Sequence, residues 1–270
     1  MTANLPPLTQ DYFLEPAQIQ IFQEQGFIHL PQVLSQNETD AYRRVIDEVV
    51  QARTKHDTRQ LSEKSPYEQA LTQCGHLWSE FPEVEAFTRS SRLAGIARDL
   101  LQADHIRLWH DQALYKQPGG RGTDPHIDMA YWPMLDRIAG TIWVALEEVT
   151  LEMGAMQFVP GSHKIDWEID QFTIWENTPI LEQIPEGFKQ DRVGFNLKPG
   201  DATFHHGLTV HFTDPNQSDK IRKGMTVIYF PDGVRYNAHS HMAGHHCAAG
   251  TADGEPIRTV KNPILASKLV

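Results

Sequence analysis

Two cysteines, Cys74 and Cys247, are all that 270 residues contain. That is too few for a disulfide framework or a four-cysteine zinc site, and such scarcity fits a reducing compartment. No stretch reaches the roughly 18 apolar residues of a membrane span. Positive charge is short as well: 24 Lys and Arg face 35 Asp and Glu, a net charge of −11, which argues against nucleic acid or an anionic membrane as partner. The amino terminus has no Lys or Arg before Arg43 and no long apolar core, so it reads as neither a secretory signal nor a mitochondrial presequence. The expectation is a soluble, cytoplasmic protein. With 22% charged and 40% hydrophobic residues, six Trp and twelve Phe, the chain is too apolar for disorder and long enough to bury a core without staples. Histidine is abundant: of 14, seven (His205, His206, His211, His239, His241, His245 and His246) fall in the last 66 residues. That concentration calls for a chemical explanation.

The first hundred residues read as helix. A short helix runs over 16–25 between Pro16 and Gly26, and a longer one starts at the capping-box spacing Ser35-Gln-Asn-Glu38 with Tyr42, Val45, Ile46, Val49 and Val50 on one face. A third helix is expected over 83–101, and a loop over 53–67. After Ala103 the pattern changes to short strands at 105–117, 126–130, 140–147, 155–159, 193–197, 202–206, 209–213 and 224–230. Short strands with turn signals and no helices between them point to an antiparallel sandwich or barrel, and eight are enough for a jelly roll. In Thr141-Ile-Trp-Val-Ala-Leu146 both faces are apolar, which places this strand centrally. One domain is expected over 1–270: a helical support region at 1–103, a jelly-roll core at 104–235 with a lid-like insertion at 164–192, and a tail at 236–270.

His126-Ile-Asp128 follows the Gly-rich loop Pro118–Gly122. On a strand, residues i and i+2 share a face, so an imidazole and a carboxylate would point together into the barrel. His211 is a candidate for one more imidazole. Two His and one carboxylate on one side of an octahedral ion leave three positions free, the arrangement of non-heme Fe(II) oxygenases. Arg222, eleven residues after His211 and just before the apolar strand 225–230, could stand on the adjacent strand, where a guanidinium fork would suit a carboxylate.

In these motifs the chain resembles the phytanoyl-CoA dioxygenase-like branch of Fe(II)/2-oxoglutarate-dependent oxygenases. The resemblance covers about residues 10–235 and rests on Leu114-Tyr-Lys-Gln-Pro-Gly119, His126-Ile-Asp128, Trp143, Gly154–His163, Gly200-Asp201, His211 and Arg222 in the family's order. It implies a double-stranded β-helix (a jelly-roll, cupin-like barrel) flanked by α-helices. It further implies iron held by His126, Asp128 and His211, with 2-oxoglutarate and O₂ as co-substrates. Arg222 would take the far carboxylate of 2-oxoglutarate, with Thr213 beside it and Trp143 and Gln112 at the co-substrate pocket. The implied reaction is hydroxylation of a small molecule with release of succinate and CO₂. A halogenase of this superfamily has a small residue in place of the carboxylate ligand, and Asp128 is present.

Segment 164–192 carries seven acidic and three basic residues. If it closes over the site, the expected substrate is neutral or cationic, contacted by Trp167 and Trp175 from the lid and by Tyr131 and Trp132 from the opposite wall. The tail cluster His239–Cys247 fits no standard zinc spacing, and a solvated or lid-forming segment is the expectation there. Two rival functions stand beside the oxygenase: a metal-dependent cupin-like isomerase or lyase, and a non-catalytic small-molecule-binding barrel. The first has no need of a carboxylate clamp at Arg222 and Thr213, and the second should have lost a metal ligand.

Overall fold

Pro16 in the first turn and Gly26 in the left-handed region (φ 83°) bound helix α1, Pro16–Gln25, as their conformational preferences dictate. The computed structural model describes residues 5–167, 180–186, 192–241 and 244–268. Helix α2, Gln36–Thr54, starts at the expected capping box: Ser35 Oγ accepts from Glu38 N–H, and the Glu38 carboxylate accepts from Ser35 N–H at 2.7 Å. Its Tyr42, Val45, Ile46, Val49 and Val50 are buried as one stripe. The polar segment after it differs from the expected loop, because Ser65 and Pro66 start a short helix α3, Pro66–Ala70. The third expected helix is two, α4 (Pro82–Thr88) and α5 (Ser91–Leu100). Ser90 breaks them apart: its hydroxyl caps Leu93 N–H and donates to Leu8 O.

Among the described residues eleven strands follow chain order: β1 Phe27–Leu30, β2 Thr72–Gly75, β3 His105–Lys116, β4 Thr123–His126, β5 Gly140–Ala145, β6 Met156–Phe158, β7 Val193–Gly194, β8 Ala202–His206, β9 His211–Thr213, β10 Arg222–Pro231 and β11 Ile264–Ser267. They form two antiparallel sheets, a larger one in the order β1-β8-β5-β10-β3-β11 with β2 also on β3, and a smaller one in the order β4-β9-β6-β7. The result is a jelly roll with its helices against one sheet. β5 is central in the larger sheet, flanked by β8 and β10, and all six of its residues are buried.

Alternation divides the larger sheet into two faces. Ile142, Val144, Met225, Val227, Phe204 and Ala113 pack outward with Tyr42, Ile46, Leu93 and Ile96 of the helices. The other face points into the barrel. Register places Thr203, Trp143, Thr226 and Gln112 in one cross-strand row and His205, Thr141, Ile228 and His110 in the next. Burial of the outer face fixes this register, because a slip by one residue would exchange the apolar set for the polar one.

Gly224 makes room for the first row: a Cβ there would lie 2.0 Å from the Trp143 ring. Gly224→Ala is therefore expected to cost about 1–3 kcal/mol through overpacking. Gly95→Ala, inside α5 with nothing within 4 Å of the added carbon, should stabilise by about 0.4–1 kcal/mol. Urea unfolding of the two variants checks the opposite signs.

The tail is built into the barrel. Cys247, Ala248 and Ile257 belong to a second buried cluster with Trp109, Trp132 and Phe230, and β11 pairs with β3. For His239–Cys247 the expectation was a solvated or lid-forming segment; His239 and His241 are exposed, whereas Cys247 is buried by residues distant in sequence, which periodicity does not reveal. No helix among the described residues is long and apolar enough to cross a membrane.

Candidate metal centre

β4 and β9 bring the two histidines together, since His126 and His211 are opposite one another in register. Asp128 reaches the same point by a different route from the one its spacing implied. The strand ends at His126, and after extended Ile127 the chain enters a 3-10 turn at Asp128–Tyr131. The turn still presents the carboxylate inward. Asp128 Oδ1 lies 3.8 Å from His126 Nε2 and 3.6 Å from His211 Nε2, and all three ligand atoms fall within 4.8 Å of one another. Metal bonds of about 2.0–2.2 Å span separations of this order.

Each donor is oriented by a neighbour. His126 Nδ1–H donates to Asp124 O at 2.8 Å, and His211 Nδ1–H donates to Thr209 O at 3.0 Å. With the proton on Nδ1, each ring turns a bare Nε2 lone pair toward Asp128. On the carboxylate, Oδ2 accepts from Thr141 Oγ1 at 2.8 Å and from His205 Nε2–H at 3.0 Å. Oδ1 is left for a third party. Burial alone would raise the Asp128 carboxyl, but the imidazoles of His211, His205 and His126 outweigh it and hold the group well below the usual carboxylate range. Burial pushes His126 down and, with the two neighbouring imidazoles, pushes His211 far down. Two neutral imidazoles facing one carboxylate form a donor set suited to a divalent cation.

His205 is a residue that the sequence reading placed only in a strand leading to His211. Its buried ring touches Asp128 because β8 and β5 set it opposite Thr141. The alternation in Thr203-Phe-His205 was readable; the cross-strand partner was not. As a positioning residue, His205 replaced by Ala should lower metal affinity by about 10- to 100-fold. Titration with a competing chelator measures it, and unchanged affinity would remove His205 from the site.

Deeper in the barrel, Arg222 is 1% exposed. Its Nη1 donates to Gly154 O at 2.5 Å, its Cζ lies 5.4 Å from the Trp143 ring centre, and its Nε has no partner among the described residues. Opposite it in register stands Lys116, fully buried, whose Nζ donates to Arg121 O. No carboxylate of the described residues forms an ion pair with either cation. Burial lowers Arg222 to about 10, and burial together with Arg222 lowers Lys116 to about 7. Two unpaired cations in low dielectric are expensive, and an anion between them would relieve both. Lys116 was hidden in the sequence as the last residue of a long strand.

Thr213 is buried on β9, and its Oγ1 accepts from Thr123 N–H at 3.0 Å. Gln112 is half-buried in the row of Trp143 and accepts from the Gln73 amide. Tyr131 packs edge-on to His126 with ring centres 6.2 Å apart, and its buried hydroxyl has no partner among the described residues. Trp132 and Trp167 are 7% and 3% exposed and lie in the second buried cluster. The Trp167 indole donates to Ser162 O, which ties it to the barrel wall. Trp175 lies outside the described residues, as does most of segment 164–192.

A jelly roll that brings two histidines of its smaller sheet together with the carboxylate of the turn after β4, and carries a buried guanidinium on β10 of its larger sheet, defines the class of double-stranded β-helix proteins with a facial triad. Within that class the chain belongs to the phytanoyl-CoA dioxygenase (PhyH) family, which its sequence matches over residues 22–224. It is 30% identical over 174 residues to a phytanoyl-CoA dioxygenase domain-containing protein 1 homolog of Caenorhabditis briggsae, covering 60% of this chain and 59% of that one. The Bos taurus phytanoyl-CoA dioxygenase domain-containing protein 1 is 28% identical over 261 residues, 79% of this chain and 89% of that protein. The chain spans about three fifths of the length of the first curated relatives it matches. Among solved structures, the non-heme alpha-ketoglutarate-dependent carbocyclase SnoK from nogalamycin biosynthesis superimposes with a TM-score of 0.79 at 28% identity, covering 94% of this chain and 97% of that one.

Proposed function

We propose that this protein is a non-heme Fe(II)/2-oxoglutarate-dependent dioxygenase that hydroxylates a small organic molecule. One observation carries the reading: His126 and His211 spend their Nδ1 protons on backbone carbonyls, Asp128 Oδ2 is filled, and three unprotonated donor atoms converge. Arg222 and Lys116, buried and without a carboxylate partner among the described residues, support a dianionic co-substrate with one carboxylate between them. Bound at these residues, iron and 2-oxoglutarate would supply oxidative chemistry in which 2-oxoglutarate becomes succinate and CO₂.

The chain's own residues set the conditions. His126, Asp128 and His211 occupy one side of the centre and leave the other side to reactants. Trp143 and Gly224 shape the floor of the pocket and exclude water from the guanidinium. Thr213 keeps its hydroxyl proton available, since its oxygen serves as the acceptor for Thr123 N–H. Tyr131, beside His126, offers for orienting a substrate a hydroxyl that has no partner among the described residues. The substrate we propose is neutral or cationic; the support is the acidic balance of segment 164–192, with seven carboxylates to three basic groups.

The buried cation pair favours this reading over a cupin-like isomerase or lyase, which has no use for a clamped dicarboxylate. The intact triad favours it over a non-catalytic barrel. A second oxidative reading, cyclisation rather than hydroxylation, is favoured by the likeness to the carbocyclase SnoK. The test is succinate formation from 2-oxoglutarate with Fe(II) and O₂ in the absence of substrate, with 2-oxoglutarate binding measured separately. Wild type should bind and turn over slowly, and His126→Ala and Arg222→Ala should not turn over. Wild type that neither binds 2-oxoglutarate nor forms succinate rejects the proposal.

A further inference from the structure

Five histidines and cysteines of the tail, His239, His241, His245, His246 and Cys247, looked from their order like one cluster, but the fold disperses them. His245 accepts from the Tyr236 hydroxyl at 2.6 Å and donates to Ser240 O at 2.9 Å. His239 faces Asp253 at 3.5 Å, and His241 is exposed. His246 and Cys247 turn the other way, toward His76, 170 residues earlier in the chain.

The three side chains meet closely. His246 Nε2 lies 2.8 Å from His76 Nε2, Cys247 Sγ lies 3.6 Å from His246 Nε2, and the three donor atoms fall within 4.8 Å of one another. The hydrogen bonds of the described residues give these side chains no partner outside the trio. Both supports are fixed. His76 adopts a left-handed backbone (φ 57°, ψ 33°), unusual for a residue with a Cβ, and its N–H donates to Asp111 O at 2.9 Å. The next two N–H groups, of Leu77 and Trp78, donate to the Asp111 carboxylate. Cys247 is 1% exposed on a 3-10 turn, His245–Ala248, entered through Gly244 at φ 91°. Strain held by buried hydrogen bonds marks a position where geometry matters.

We propose that His76, His246 and Cys247 form a second metal site, sulfur-containing and distinct from the candidate iron centre, which takes a zinc-type divalent cation and pins the C-terminal turn to the turn after β2. Two imidazoles and a thiolate are borderline-to-soft ligands that suit Zn²⁺, with bonds of about 2.0–2.1 Å to nitrogen and about 2.3 Å to sulfur. Such bonds span the 3.6 Å between sulfur and His246 Nε2 at a near-tetrahedral angle, the 2.8 Å between the two Nε2 atoms must open by about 0.5 Å as the metal enters, and a water molecule completes the tetrahedron. Burial lowers His76 to about 4 and also lowers His246, so both rings are neutral and able to donate lone pairs. Burial pushes the Cys247 thiol up to about 12. Binding would therefore displace one proton from sulfur to solvent as the metal–thiolate bond forms. The iron triad contains no sulfur, which makes the two sites separable by experiment.

Cobalt(II) added to the metal-stripped full-length chain is the probe. A thiolate-to-cobalt charge-transfer band is expected at one equivalent in His126→Ala, which lacks the iron triad, and by two equivalents, with the same position and intensity, in wild type, where the triad also takes the ion. It should disappear in Cys247→Ser. His246→Ala, at an exposed side chain and with its fold checked by circular dichroism, should weaken Zn²⁺ binding by about 100-fold or more, beyond the effect of losing an outer neighbour of a ligand. The proposal is overturned by a wild type with no sulfur band, by a band that survives in Cys247→Ser, or by one lost only in Cys74→Ser. Absence of turnover on 2-oxoglutarate would not affect these readouts, so failure of the oxygenase reading and failure of this site are distinguishable.

Discussion

Asp128→Asn is expected to leave the protein folded and unable to retain Fe(II), whereas Asp128→Ala should lose iron and stability together. The difference follows from the two oxygens. Oδ2 accepts from Thr141 and His205, both at the buried end of the site. An Asn carbonyl can take over those two bonds, and its NH₂ group, standing where Oδ1 was, would donate to the bare Nε2 atoms of His126 and His211. The metal-free Asn variant is then as stable as wild type, because a buried charge has been replaced by a satisfied amide. Its iron affinity should fall by well over ~100-fold, since the loss of a ligand exceeds the 10- to 100-fold effect of an outer hydrogen bond. Ala offers no acceptor. His205 N–H and Thr141 O–H are left unpaired at about 1–3 kcal/mol each, and the midpoint of urea unfolding should drop accordingly. Iron content after dialysis against a chelator, read alongside the unfolding curves, separates the two variants. An Asn variant that keeps iron at wild-type affinity would remove Asp128 from the centre.

The triad was legible in the sequence for a reason that is only partly the expected one. A strand carrying both His126 and Asp128 would put them on one face, yet the strand stops at His126 and a 3-10 turn delivers the carboxylate. The two geometries share the same short reach, so the pairing survived an incorrect local structure. Helix α2 was readable because its cap and its apolar stripe are both local signals. The break at Ser90 was not, because the hydroxyl that causes it bonds to Leu8, 82 residues away. His205 and Lys116 were missed on similar grounds. Each acquires its role from a register across strands distant in sequence, Thr141 for one and Arg222 for the other. His76 is the extreme case, since its partners lie 170 residues on. Residue type signals chemistry locally, but the neighbours that orient a group are set by the topology of the jelly roll.

Arg222→Met should raise the stability of the cofactor-free protein while abolishing useful 2-oxoglutarate binding. Among the described residues the desolvated guanidinium keeps one hydrogen bond, to Gly154 O, leaves Nε without a partner and faces buried Lys116 across the β10–β3 pair. A buried charge set replaced by a well-packed apolar side chain of similar volume is often neutral or stabilising by about 1–4 kcal/mol, and unbranched Met can follow the path of the Arg stem along Trp143. Binding runs the other way. Loss of one partner of a buried charge pair costs about 2–5 kcal/mol, which at about 1.4 kcal/mol per tenfold is a weakening of roughly 30-fold to several thousand-fold. Lys116 compensates only in part, because removing Arg222 takes away one cause of its lowered pKa while burial, the larger cause, remains. Arg222→Lys should also fail, since an ammonium supplies no planar fork. Thermal unfolding with and without 2-oxoglutarate reads both effects at once. At a ligand concentration near 100 times the wild-type dissociation constant, wild type should gain about 2.7 kcal/mol, and the Met variant, starting from a higher midpoint, should gain less than about 1 kcal/mol. A Met variant that starts lower than wild type and still responds to 2-oxoglutarate would make Arg222 a structural cation and move the co-substrate carboxylate elsewhere in the barrel.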